Sequence, residues 1–312
     1  MTGTEVADGV VVVTIPMSPG LSTAAVVLSG DRTVLVDTGT ATSGPELIDT
    51  CVAHRGLPPV TTIMCTHFHH DHTGGLAQLS RDAHVTVHAH VAESGLVADP
   101  RGFTTAMSGL GIDLTPPVSI GTRVSPVLDG FRIPVGGRTW EVVHVPGHTW
   151  GHVALWSQTE RMLIAGDAVQ GPGVPFTGTL GQGTGLPYYL DVAAYRSSLE
   201  RMRRLEPRTL VLAHENPAWG AGIIEGAAAV EEALLSSARQ VEEVHGWVLD
   251  ALGARPRPVH EVTADACSAG GIGRVAPQAE LTVRAHLALL RTKGVARLGP
   301  DGWALVPGSD QP

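Results

Sequence analysis

Cysteine is scarce in this chain and never paired. The three cysteines, Cys51, Cys65 and Cys267, are odd in number, widely spaced and free of any CxxC pattern. A disulfide framework is therefore not expected, and a reducing compartment is the simpler reading. Long apolar runs are also missing: none approaches the roughly 20 residues a membrane-crossing helix needs. The opening MTGTEVADGV has neither a basic stretch nor an apolar core, so no secretory leader is expected and the default localisation is cytoplasmic. A basic face is absent too. The formal net charge is −9, and residues 1–238 account for it, with 13 Lys/Arg against 22 Asp/Glu, whereas residues 239–312 hold 8 of each. Such a chain repels nucleic acid and anionic membrane as a whole, which leaves a small-molecule substrate as the favoured partner.

What is present is a globular pattern, 43% hydrophobic over 312 residues, long enough for one large domain and a small one. Short runs of β-formers ending in turn residues dominate up to about residue 215: 11–16, 23–30, 32–39, 60–67, 84–90, 139–147, 152–157, 161–167 and 209–214. Helical spacing interrupts them at 43–56, where Leu47, Cys51 and His54 recur, and at 191–205, where Val192, Tyr195, Leu199 and Met202 share a face behind an Asp191 cap. Interleaved strands and helices predict mixed α/β (α+β) layers. Residues 171–187, rich in glycine and proline, predict a long functional or poorly ordered loop. Beyond it come a helix over 223–252, a helical run at 277–294 and a hairpin at 295–307 turning at Pro300-Asp301-Gly302. Helix, helix and two-stranded ribbon reads as a winged-helix module at 240–312, joined by that long helix to a catalytic domain at 1–222.

The densest chemistry lies in THFHHDHTGG, Thr66 to Gly75, placed after one strand and before a helix expected to start near Gly74. His67, His69, Asp71 and His72 put three imidazoles and a carboxylate within six residues at a strand's C-terminal end, where the loops of an α/β fold converge. Imidazole and carboxylate ligands suit zinc, and also iron or manganese. One metal needs three or four protein ligands, so the cluster could serve two. Three further fragments repeat the placement. His148 sits in a Pro-Gly turn after the strand ending at Val145, Asp167 follows the apolar LIAG, and His214 follows LVLA. A carboxylate directly after an apolar strand needs a partner or a metal.

THFHHDHTGG, PGHTWGH, LIAGD, LVLAHE and the leading LVDTG resemble the ordered motifs of the metallo-β-lactamase superfamily over roughly residues 10–216. The resemblance implies an αββα sandwich with the site at one edge. It also implies that His67, His69 and His148 hold one divalent ion, that Asp71, His72 and His214 hold the other, and that Asp167 bridges them. The C-terminal segment resembles the winged-helix appendage of a subset of these hydrolases, which includes endoribonucleases and thioesterases. Two departures bear on function: Asp167 is present and no leader is evident, unlike the exported zinc β-lactamases, and Ala213 stands where glycine is usual before the last histidine.

The implied chemistry is hydrolysis by a hydroxide bridging two ions, zinc foremost, with Asp71 orienting it and able to accept its proton. A small acyl thioester, ester or lactone is the expected substrate. An endoribonuclease is the alternative, and a mono-iron sulfur dioxygenase, which uses fewer ligands, is a third. Neighbouring residues carry two readings each. Asp37 either hydrogen-bonds a ligand histidine or ties down its own turn, and His152 either packs or supports the ligands. His70 is expected to point away, and His84, His88 and His90 read as ordinary strand residues. Tyr188, Tyr189, Trp150 and Phe176 either line the substrate pocket or anchor packing. Arg284, Arg291 and Lys293 beside Glu280 are too few for a phosphate track, so the C-terminal module is expected to pack, dimerise or close the cleft.

Overall fold

The structure is a computed structural model and describes residues 3–18, 20–82, 84–108, 121–171, 186–216, 219, 221–273, 275 and 278–308. Its body is two facing mixed sheets with helices outside each. The first sheet runs β1 (Thr4–Ala7), β2 (Val10–Ser18), β3 (Leu21–Ser29), β4 (Thr33–Val36), β5 (Val60–Met64), β6 (Thr86–His90) and β7 (Val124–Val127) in chain order. Its pairings are antiparallel up to β3–β4 and parallel from β4–β5 onward. The second holds β8 (Arg132–Val135), β9 (Arg138–His144), β10 (Val153–Ser157), β11 (Met162–Gly166), β12 (Thr209–Asn216) and β13 (Ala221–Glu225), in the order β13-β12-β11-β10-β9-β8.

Alternation inside apolar runs explains the layering. In Val10–Val13 both faces are buried, so the run is continuous rather than alternating. Val10 and Val12 join Val26, Leu28, Val142, Leu155 and Ile164 between the sheets, while Val11 and Val13 turn out with Val27 and Ile63. That outer face is covered by α1 (Gly44–His54), α3 (Leu76–Leu79), α4 (Ser94–Ala98) and α5 (Arg101–Ser108), through Ile48, Leu76, Val97 and Phe103. On the second sheet Leu163, Ala165, Leu210 and Leu212 face out against α6 (Val192–Arg204) and the first half of α7 (Ala227–Ala251). Trp140, fully buried between the sheets, is the largest such side chain. Truncating it to alanine should cost about 3–5 kcal/mol. The sandwich expected from the sequence is thus the fold observed.

Local differences have local causes. The helix expected near Gly74 is instead two single turns, α2 (His70–Thr73) and α3, so Asp71 and His72 sit on a helix rather than before one. Between them the backbone passes so close to Gly39 and Ala41 that a Cβ on Gly74 would lie 2.6 Å from Ala41 N. The helix expected over 223–252 begins at Ala227, because 221–225 pairs with β12 as an edge strand and Gly226, at φ 96°, turns the chain. The strand read at 84–90 starts at Thr86. The C-terminal part has one helix more than the sequence reading gave, α8 (Val259–Ala269), before α9 (Ala279–Thr292) and the ribbon β14 (Ala296–Gly299)–β15 (Gly302–Leu305). The second half of α7 shares a core with these elements through Val244, Val248, Val262, Leu287 and Trp303. Among the described residues no helix is long and apolar enough to cross a membrane.

Candidate metal centre

Four strand ends and the last part of β12 meet at one edge of the sandwich. Asp37 follows β4, residues 66–72 follow β5, His148 lies in the β9–β10 turn, Asp167 follows β11, and His214 lies within β12. Val153 N donates to Thr66 O at 2.9 Å, tying the sheets together at this edge. The His148 turn needs its glycine: Gly147 has φ 133°, and a Cβ there would lie 2.4 Å from the Tyr195 backbone.

All seven residues singled out from the sequence converge, in two groups. His67 Nε2, His69 Nδ1 and His148 Nε2 lie 2.8, 3.1 and 3.2 Å from one another, with Asp167 Oδ2 3.5 Å from His148 Nε2. In the second group His214 Nε2 stands 3.3 Å from Asp71 Oδ2, and His72 Nε2 3.8 Å from the same oxygen. Asp167 Oδ1 faces this group, 3.4 Å from His214 Nε2 and 3.5 Å from His72 Nε2. Tetrahedral ligands about 2.0–2.1 Å from zinc stand about 3.4 Å apart, so the spacing suits a metal. The chemistry of the donors agrees. Three imidazole nitrogens facing one point cannot all be satisfied by one another. His72 Nε2 and Asp167 Oδ1 are buried without a well-formed hydrogen bond among the described residues. The His/Asp cluster fits a metal site.

The opposite ring nitrogens are held by acceptors, which fixes tautomer and orientation. His72 Nδ1 donates to Asp37 Oδ2 at 2.7 Å, His148 Nδ1 to Tyr188 O at 2.7 Å, and His214 Nδ1 to Ser22 O at 2.7 Å. Asp37 also accepts from Thr66 N and Thr66 Oγ1, each at 2.7 Å, and it does so from a left-handed backbone (φ 59°). Non-glycine residues seldom adopt that conformation, and it persists where surrounding bonds hold it. His152 is fully buried, stacks on His67 at 4.7 Å and accepts the Asp167 N–H at 3.1 Å. His70 is partly exposed and outside both groups.

Charge divides the centre. Burial, then like-charged neighbours, push His67 and His69 well below the ordinary imidazole value, and burial lowers His148 and His152. On His72 burial works the same way, but Asp167, Asp37 and Asp71 together outweigh it and hold the ring well above its ordinary value. His214, buried beside Asp167 and Asp71, is raised to about 10. Burial opposes ionisation of Asp71 and Asp167 too, yet His72 and His214 hold both below the usual carboxylate range.

Of the other candidates, the Tyr188 ring lies 5.5 Å from that of His69 and 5.1 Å from that of His148. Tyr189 turns away, bonding His286. Trp150 is half exposed at 6.1 Å from Phe103. His84 is exposed before β6, and His88 and His90 lie on β6 outside both groups. Phe176 and most of the glycine-rich loop lie outside the described residues. Sequence reading missed Glu93. Its carboxylate accepts from Phe68 N at 3.1 Å and Gly151 N at 2.7 Å, bracing both loops of the first group, and burial pushes its pKa up to about 7. Gln170 was missed as well; it donates to Asp167 O at 3.0 Å and accepts from Tyr188 N at 2.6 Å.

A four-layer sandwich with paired His/Asp clusters sharing one aspartate at its edge defines a class of metal-dependent hydrolases. The sequence matches the family described as the Metallo-beta-lactamase superfamily over residues 17–214, more than half its length, and the chain belongs to that superfamily. It is similar to a Beta-lactamase-like protein 2 homolog of Drosophila melanogaster, 29% identical over 60% of this chain and 56% of that one. A hydroxyacylglutathione hydrolase of Bdellovibrio bacteriovorus is 29% identical over 59% of this chain and 60% of its own. A human acyl-coenzyme A thioesterase, MBLAC2, is 33% identical over 47% and 52% respectively. The chain therefore matches a little over half the length of these curated relatives. In fold it is similar to a metallo-beta-lactamase family protein from Thermus thermophilus, with a TM-score of 0.77 and 22% identity over 97% of this chain and 100% of the other.

Proposed function

We propose that the chain is a dinuclear metal-dependent hydrolase of small acyl compounds, with an acyl thioester as the favoured substrate over an ester or lactone. The observation that carries this reading is Asp167, whose two oxygens face the two ligand groups separately. His67, His69 and His148 would hold one ion and Asp71, His72 and His214 the other, with Asp167 between them. Zinc suits this donor set, and iron and manganese accept it. Two bound cations would supply Lewis acidity to a substrate carbonyl and would activate water as the nucleophile. Asp71, whose carboxylate lies 3.3 Å from His214 Nε2 and 3.8 Å from His72 Nε2, would orient the attacking water and take its proton on a carboxylate oxygen. Relatives named as a hydroxyacylglutathione hydrolase and an acyl-coenzyme A thioesterase support an acyl substrate.

The C-terminal part carries α8, α9 and the β14–β15 ribbon, and the cations of α9 offer little to phosphate. On α9 Arg284 is tied to Glu280 at 2.6 Å, leaving Arg291 and the following Lys293. This favours a small-molecule substrate over RNA. The test is elemental analysis of purified protein, followed by turnover on a panel of acyl-thioesters, lactones and short RNAs. Close to two ions per chain and preferential thioester cleavage are expected. One tightly bound iron with no second ion after reconstitution, or cleavage of RNA alone, would overturn the reading.

A further inference from the structure

The segment 186–191 is gripped from both sides. Toward the metal centre, Tyr188 O accepts from His148 Nδ1 at 2.7 Å, and Leu190 N donates to Gly147 O at 2.7 Å. Toward the C-terminal part, Thr282 Oγ1 donates to Pro187 O at 2.8 Å, and Tyr189 OH bonds His286 Nε2 at 2.7 Å. Leu281 packs on Tyr188. Thr282 and His286 are both fully buried, one turn apart on α9. Polar groups on a buried helix face need partners there, and apolar residues would have packed without that requirement. Thr282 Oγ1 and His286 Nε2 find theirs in the six residues that fix the His148 ring, while His286 Nδ1 meets His245 Nδ1 at 3.1 Å.

We propose that α9 is a positioning element of the metal centre: Thr282 and His286 hold the Tyr188 carbonyl where it sets the tautomer and orientation of His148. The C-terminal part then acts on the His67/His69/His148 ion alone, because His72 and His214 take their supports from Asp37 and Ser22. Neither Thr282 nor His286 belongs to either ligand group. Partners that orient a ligand histidine are typically worth about 10–100-fold in metal affinity.

This inference rests on the dinuclear reading, and the experiment separates the two. Zinc is withdrawn from the full chain by a chelator, giving two phases, one of which is assigned by its loss in His148→Ala. Thr282→Val, which keeps shape and removes the donor, should weaken that phase about 10–100-fold and leave the other unchanged. Tyr189→Phe should shift the same phase in the same direction, and Thr282→Ser should restore it. With cobalt(II) in place of zinc, the visible spectrum of one ion should change and the other stay. Equal weakening of both phases, or no weakening in Thr282→Val and Tyr189→Phe, would overturn the inference while leaving two ions in the wild type. A wild-type chain that takes up no zinc would overturn the dinuclear reading along with it.

Discussion

The two halves of the centre use the same side-chain type in opposite electrostatic states. His67, His69 and His148 meet with one carboxylate oxygen nearby, and burial keeps them neutral. His72 and His214 lie among Asp37, Asp71 and Asp167 and hold protons far more firmly. Without metal, the first half is a set of free lone pairs and the second a cluster of imidazolium–carboxylate pairs. Burial alone therefore does not set the behaviour of a ligand histidine; the count of adjacent carboxylates decides it. Each half also has its own brace, Glu93 under the first and Asp37 under the second.

Asp167 is where the comparison should break down, because it belongs to both halves. Asp167→Asn keeps the shape and removes the charge that faces both groups. Its loss in kcat/KM should exceed the roughly 100-fold upper range for outlying ligand supports. Near-normal turnover of Asp167→Asn at saturating zinc would show that the shared position is incidental.

Proton release sharpens the contrast. A metal binds only deprotonated imidazole, so the half with raised histidines must shed protons on loading. His72 and His214 are protonated below their raised values, so at pH 7 that half should release close to two protons and the His67/His69/His148 half close to none. Affinity at the second half should then rise up to about 100-fold per pH unit, and its ion should leave first as pH falls from 8 to 6. Calorimetry of zinc uptake in buffers of different ionisation enthalpy reads this directly. Equal release by both ions would remove the distinction.

Asp37→Asn tests the brace of the second half. It should weaken that ion about 10–100-fold and spare the other, read by the same chelator competition. If both ions weaken together, Asp37 acts through its left-handed turn and Thr66 rather than through His72.

Much of this centre was legible because its histidines and aspartates sit in short motifs at or near strand ends, where period-2 runs stop. The Asp167 position is visible as a carboxylate after LIAG, and His214 as one imidazole after LVLA. Edge strands were harder. β7 and β8 each contain a proline and span four residues, and β1 is equally short, so none shows enough alternation to stand out. α8 was hidden by Val259, Val262 and Thr263, β-branched residues that favour strand locally; burial against α7 decides the outcome. Glu93 left no local signal at all, since its two backbone donors lie 25 and 58 residues away.

Glu93 gives the smallest expected effect on the metals and the clearest one on stability. Its folded pKa of about 7 lies above the ordinary carboxyl value of 4.5, chiefly because the side chain is buried. A carboxyl raised by folding contributes stability in full below its unfolded value, and the contribution is lost as pH rises through the folded value. Wild type should therefore lose stability relative to Glu93→Gln between about pH 4.5 and 7, by about 3 kcal/mol at one unit per 1.4 kcal/mol. The histidines are common to both proteins and cancel in the difference. Glutamine keeps one acceptor of the two, so either Phe68 N or Gly151 N loses its partner and the first half loosens slightly. Denaturant unfolding of both metal-free proteins across that range provides the measurement. A difference that stays flat with pH would mean that the two backbone donors hold Glu93 ionised throughout, and that the first half is braced by a charge rather than by a neutral acid.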